Sequence, residues 1–220
     1  MIVQSLWIGD HLRTMERLCI SSYLRTGHDF HLYTYGNVDG IPAGTTVKDA
    51  VEIMPRIDDQ FSFAAQFADW FRYNLIYQKG GWWVDTDTVC LRSFDDLNYE
   101  HVLEGYVKAP VGSPVLGWAI EQCKLENWKT MAYGCIGPAL YRRVHEKFDF
   151  PFTKWPDTLH SFTDENWKAY INEQPPEIPS DAHAAHLWNG YWRHNHQDVD
   201  AAYPSTCLYE QFKKKYLEGQ

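Results

Sequence analysis

The sequence predicts one α/β domain over residues 1–220, and three observations carry that expectation. The chain opens in a strand, helix, strand order. Near residue 80 a glycine pair precedes a short apolar run that ends in two carboxylates. With 220 residues at 45% hydrophobic content, the chain can bury one sizeable core. Strands alternating with helices place a sheet at the centre with helices on its faces.

Taken in order, residues 2–8 read as the first strand, ending at Gly9. Residues 14–23 follow as a helix, with Met15, Leu18 and Cys19 at helical spacing. Gly27 closes it, and residues 30–35 alternate as a second strand. This order is the start of a nucleotide-binding α/β fold. Residues 36–55 are turn-rich, with Val47 at most in a short strand. Residues 61–79 carry Phe63, Phe67, Trp70, Phe71, Leu75 and Ile76 on a helical period, with Ser62 at the helix entry and Gly80 at its C-cap. Residues 82–84 form the next strand and 89–91 stay extended. Asp95-Asp96 is a solvated turn, and residues 102–107 read as another strand. A loop with Pro110, Gly112 and Pro114 leads into a helix over 115–124. Gly134-Cys135-Ile136-Gly137-Pro138 then opens a helix over 139–148, where Gly permits close backbone approach and Pro presets the first turn. Residues 151–179 are rich in Pro, Trp and acids, and read as long irregular segments around a short helix near 166–171. Segments of that length in a compact domain are often functional lids. Residues 205–217 form a C-terminal amphipathic helix with Lys213, Lys214 and Lys215 in its last turns.

The chemistry concentrates in Gly80-Gly81-Trp82-Trp83-Val84-Asp85-Thr86-Asp87-Thr88-Val89. A buried strand over 82–84 puts Asp85 and Asp87 on one side of its carboxyl end, where open α/β sheets bind ligands. Two converging carboxylates make a hard-oxygen site for Mn²⁺ or Mg²⁺, ions that keep positions open for substrate phosphates. An Asp-x-Asp after a strand can also be a plain solvated turn. The preceding helix argues against that, because Asp69 and Arg72, three residues apart, project from one face of a helix that feeds this strand.

Phe67-Ala-Asp-Trp-Phe-Arg-Tyr73, the Gly80-Gly81 pair and the Asp85-Thr-Asp87 tip together resemble a glycosyltransferase signature. It is that of GT-A enzymes with a DXD-containing sugar-binding region (family 32-like), which include initiating mannosyltransferases, α-1,4-galactosyltransferases and bacterial polysaccharide enzymes. The resemblance implies a GT-A, Rossmann-like single domain with a central mixed sheet flanked by helices. Its nucleotide-sugar half would be about residues 1–110 and its acceptor half about 111–220. It implies that Leu6, Trp7, Ile8 and Gly9 help to hold the nucleotide, with Ser62, Asp69, Arg72, Trp83, Asp85, Gly137 and Trp188 also on the donor side. Asp69, Arg72, Asp85 and Asp87 would be catalytic. Ala184-Ala185-His186-Leu187-Trp188 resembles the late His-x-Trp segment of these enzymes, which adds His186 to Asp85 and Asp87 as a metal ligand or diphosphate contact. Read alone, His186 after an apolar pair is a structural histidine. Relatives often carry an Asn-containing strand before the acceptor-side helix. The nearest position here is Glu104, open as a catalytic carboxylate or, the plainer reading, a strand-edge acid. The implied reaction is metal-dependent hexose transfer, with retention, from a UDP-sugar or GDP-mannose to a glycan or other hydroxyl acceptor.

Composition narrows the partners. A formal net charge of −9 argues against a nucleic-acid backbone as the main partner. The five scattered cysteines form no Cys-x-x-Cys, so neither a disulfide nor a zinc framework is expected. No signal peptide or apolar span near ~20 residues is read, which gives a cytoplasmic expectation and leaves peripheral membrane docking open. Two other readings remain at this stage. Asp85-Thr-Asp87-Thr-Val89 also matches the pattern of haloacid-dehalogenase-like phosphatases, although their downstream Gly-Asp is lacking and the one Gly-Asp, Gly9-Asp10, lies upstream. The other is a nucleotide-sugar-binding module without turnover.

Overall fold

The computed structural model describes residues 1–148 and 164–218. A mixed six-stranded sheet forms the centre. Its strands in chain order are β1 (Ile2–Trp7), β2 (Asp29–Thr34), β3 (Thr46–Asp49), β4 (Gly81–Trp83), β6 (Val102–Leu103) and β7 (Val107–Ala109), and its spatial order is β3-β2-β1-β4-β7-β6. The first four run parallel, while β7 is antiparallel to both β4 and β6. A separate two-stranded ribbon pairs β5 (Thr88–Cys90) with β8 (Ala184–His186), antiparallel. The helices are α1 (Thr14–Arg25), α2 (Ala64–Lys79), α3 (Pro114–Lys124), α4 (Pro138–Lys147), α5 (Asn189–His194) and α6 (Leu208–Leu217).

Alternation along β1 explains how the sheet is covered. Val3 belongs with Phe30, Leu32, Trp82 and Val84 in one buried cluster, whereas Leu6 faces the other way toward Tyr33, Phe67, Phe71 and Trp83 under α2. A third cluster joins α1 residues Met15 and Leu18 to Val89, Ala185, Trp192 and the α6 residues Tyr209 and Phe212. The C-terminal elements therefore pack back onto the first helix. Gly80 and Gly81, with φ of 67° and 82°, turn the chain sharply from α2 into β4 through backbone space that other residues rarely enter.

Three sequence expectations need correction. The strand over 102–107 is a hairpin: Glu104 N–H donates to the Tyr106 carbonyl at 3.0 Å, so Glu104-Gly105-Tyr106 turns instead of pairing. The long helix begins at Ala64, not at residue 61, because Phe61 stacks on Trp128 (ring centroids 4.7 Å apart) and Ser62 is drawn to the Trp128–Lys129 backbone. Ser62 therefore does not cap α2. It fastens the segment before the helix to the 128–129 loop. The expected helix over 166–171 is a helical turn at Asp164–Tyr170. Of the expected lid over 151–179, residues 151–163 lie outside the described residues.

Candidate active site

β1 sits at the point where the sheet changes direction, running to β2 on one side and neighbouring β4 on the other. Such a switch point opens a crevice at the strands' carboxyl ends. The parallel register pairs Gln4 with Trp83, and Val84 N–H donates to the Gln4 carbonyl at 3.0 Å. That register brings Trp7, Ile8 and Gly9 to the same end of the sheet as Asp85 and Asp87. Trp7 Nε1 donates to the His11 carbonyl at 3.1 Å, and its ring lies against Gly9. Leu6 is buried, and Ile8 is partly covered by the core beneath α2.

Asp85 and Asp87 leave β4 in different environments. Asp85 Oδ1 accepts from Trp83 Nε1 at 2.8 Å and lies 3.9 Å from the Arg72 guanidinium. Trp83 is itself buried, so its ring serves the core and its Nε1 orients Asp85. Asp87 Oδ1 lies 3.1 Å from His186 Nε2, while its Oδ2 accepts the Asn189 backbone N–H at 2.9 Å. Burial raises the Asp85 carboxyl above its usual range, against the pull of Arg72. Burial also pushes Asp87 up, but His186 and the Asn189 amide more than offset it, and the net shift is downward.

His186 reaches Asp87 because the β5–β8 ribbon sets Thr88 opposite His186, and Leu187 N–H donates to the Asp87 carbonyl at 2.8 Å. The imidazole stacks on Trp188 with centroids 3.6 Å apart. Trp188 adopts a left-handed backbone, φ 59° and ψ 52°, which is costly for a bulky residue and is found where surrounding structure enforces it. One ligand atom each from Asp85, Asp87 and His186 falls within 4.8 Å of the others. Two carboxylates and an imidazole suit Mn²⁺ and, less specifically, Mg²⁺, so the donor set is one that would hold such an ion. His183 is engaged elsewhere, 3.1 Å from Asp96, and does not join the cluster.

The other wall of the cleft comes from α2. Arg72 is buried and pairs with Asp69 Oδ1 at 2.5 Å, and its guanidinium lies over the rings of Tyr73 and Tyr141 at 5.5 and 5.3 Å. Burial raises the Asp69 carboxyl to about 6 against the opposing pull of Arg72. Tyr73 OH donates to the Ile136 carbonyl at 2.7 Å and fastens the 134–138 turn to α2. Gly137 sits directly on the Asp69 carboxylate, and a Cβ there would stand 2.9 Å from Oδ2.

Asp69, Arg72, Asp85, Asp87, His186, Trp188 and Gly137 thus form one contiguous network. Ser62 is engaged with the 128–129 loop. Glu104, in its hairpin turn, lies 3.8 Å from His145 of α4 and is not part of the acid–histidine cluster. A cavity of about 530 Å³ opens near the amino ends of β1 and β4, lined by residues such as Gln4, Lys48, Lys79 and Lys108. It shares no lining residue with the Asp85 cluster.

Residues 28–103 match the family model described as a glycosyltransferase sugar-binding region containing a DXD motif. That match spans about a third of the chain, and the fold around it is GT-A-like. The apo-form glycosyltransferase GlyE of Streptococcus pneumoniae TIGR4 is similar in structure, with a TM-score of 0.50 and 13% identity. That likeness covers 98% of this chain, and the chain spans 64% of the pneumococcal one. The PaToxG glycosyltransferase matches 66% of this chain and 68% of its own, at 13% identity and a TM-score of 0.48. No curated protein matches the sequence. The matched residues include the Asp85-Thr86-Asp87 sequence. The third member of the cluster, His186, lies beyond the matched residues and reaches them only through the fold. Sequence reasoning missed Glu16, Asn189 and Tyr141 around the site. No local motif marks Glu16 or Tyr141, and only the fold brings them to the site.

Proposed function

We propose that this chain is a metal-dependent, retaining glycosyltransferase. It moves a hexose from a nucleotide sugar, a UDP-sugar before GDP-mannose, to a glycan or other hydroxyl acceptor. The observation that carries the reading is the convergence of Asp85, Asp87 and His186 beside the Asp69–Arg72 pair at the switch point of the sheet. A divalent ion in that donor set would supply Lewis-acid stabilisation to the departing diphosphate. Asp87 and His186 would hold it, and Asp85 would join directly or through water. Arg72, a planar fork held by Asp69, offers N–H groups to phosphate or sugar oxygens, while Asp69 accepts from sugar hydroxyls. Gly137 leaves room for that contact. Trp7, Ile8 and Gly9, at the same end of the sheet as Asp85, would hold the nucleotide base.

The acceptor oxygen attacks the anomeric carbon on the face the diphosphate leaves. The carbon–diphosphate oxygen bond breaks as the carbon–acceptor oxygen bond forms, and the acceptor proton passes to the departing phosphate oxygen. This route requires no separate protein base, so Glu104 has no assigned step. The phosphatase reading loses its footing because the family match and the fold are both those of glycosyltransferases.

The test is hydrolysis of a panel of UDP-sugars and GDP-mannose, with Mn²⁺, with Mg²⁺ and with chelator. Turnover of one donor that requires the metal, and that is lost in Asp87→Asn, is the expected result. Binding of a nucleotide sugar without turnover would support a binding module instead. Neither binding nor turnover with metal present would overturn the assignment.

A further inference from the structure

Behind Asp87 lies a carboxylate that the proposed reaction does not use. Glu16, in the first turn of α1, is fully buried. Burying a carboxylate is costly unless hydrogen-bond donors surround it. Here Oε2 accepts the Arg13 backbone N–H at 2.9 Å, and the Arg13 guanidinium lies 3.7 Å from Oε1. Oε1 also accepts from the Asn189 side-chain amide at 3.3 Å, across 173 residues of sequence. Asn189 is the residue whose backbone N–H donates to Asp87 Oδ2, and it directly follows Trp188, the left-handed residue stacked on His186.

We propose that Glu16 is a positioning residue. By clamping the Asn189 side chain it holds the Trp188 turn in its left-handed conformation, which keeps the Asn189 N–H on Asp87 and Trp188 against His186. The inference rests on the reading of Asp87 and His186 as metal ligands. Without the clamp, the left-handed turn loses a side-chain anchor and relaxes toward commoner backbone angles. The Asn189 amide then leaves Asp87, and the aspartate and histidine lose their fixed separation. Groups that orient metal ligands from behind are typically worth about 10- to 100-fold in metal affinity.

Glu16 also closes a capping box with Arg13 at the start of α1, a purely structural job, and the experiment must separate the two. Asn189→Ala breaks the clamp and leaves the capping box whole. Free-Mn²⁺ titration by electron paramagnetic resonance, without nucleotide, is expected to show roughly tenfold weaker binding in both Glu16→Ala and Asn189→Ala. The double variant should be no weaker than either single one, because both remove the same link. Amide hydrogen exchange at position 189 in metal-free protein should quicken about tenfold in Glu16→Ala. Were Glu16 only a helix cap, Glu16→Ala would melt earlier yet exchange normally at 189, and Asn189→Ala would match the wild type; that pair of results overturns the proposal. Wild-type protein that binds no Mn²⁺ would refute the metal reading, while the exchange rate still decides the clamp. If Glu16→Ala fails to fold, Glu16→Gln replaces it in the same measurements.

Discussion

At the scale of single residues, the Asp69–Arg72 pair sets the expected pH behaviour. Burial lifts Asp69 to about 6, and only its ionised form can both hold Arg72 and accept from donor hydroxyls. Activity should therefore rise with pH through about 6. The effect on stability has the opposite sign. A carboxyl whose folded pKa stands above the unfolded value of ~3.9 binds its proton more tightly in the native state. Its contribution is fully present below about 4 and is lost as pH rises through 6. An acid fall in kcat/KM near pH 6, at pH values where thermal melts show no loss of stability, is the expected profile. Asp69→Asn should remove that limb and lower the rate throughout. A limb that survives in the variant would assign it to another group. Arg72→Lys keeps the charge but loses the fork and the flat contact with Tyr141, so it is not a conservative change here.

At the scale of elements, the 134–138 turn and α2 behave as one part. Gly137→Ala would drive a Cβ to 2.9 Å from Asp69 Oδ2, a separation real Cβ atoms essentially never show. Asp69 has a short side chain already committed to Arg72, so the turn or the ion pair must shift. Overpacking of this kind costs about 1–3 kcal/mol. We expect a lower melting temperature together with at least a tenfold loss of kcat, which steady-state kinetics and a thermal melt measure side by side. Unchanged kcat would mean that the turn moves freely and does not register Asp69. The legibility of the elements in sequence follows the same physics. Asp69, Arg72, Asp85 and Asp87 were readable because helix and strand periods place them by local spacing alone. The 102–107 hairpin was not, since strands of two and three residues on either side of a turn leave too few alternations to separate from one strand. Glu16 and Asn189 were beyond reach because their contact spans 173 residues and neither belongs to a local pattern.

For the molecule as a whole, the site lies on a seam. Asp85 and Asp87 emerge from the central sheet, whereas His186 arrives on the β5–β8 ribbon, whose core continues into α1, α5 and α6. An ion gripping both sides would tie the C-terminal elements to the central sheet. Binding to the native state alone stabilises it by about 2.7 kcal/mol at 100 times the dissociation constant. For a chain of this size each kcal/mol moves the melting temperature by about 2–4 °C, so saturating Mn²⁺ should raise it by roughly 5–10 °C. His186→Ala removes a proposed ligand carried on the two-stranded ribbon outside the central sheet, and the variant should still fold. Its Mn²⁺-induced shift should shrink to a small remainder, because the ion would then hold only the sheet side. Asp85→Asn should cut the shift less if Asp85 acts through water, and as much as Asp87→Asn if it ligates directly. Differential scanning fluorimetry across a Mn²⁺ series ranks all three. A full shift in His186→Ala would place the ion away from the seam and remove His186 from its ligands.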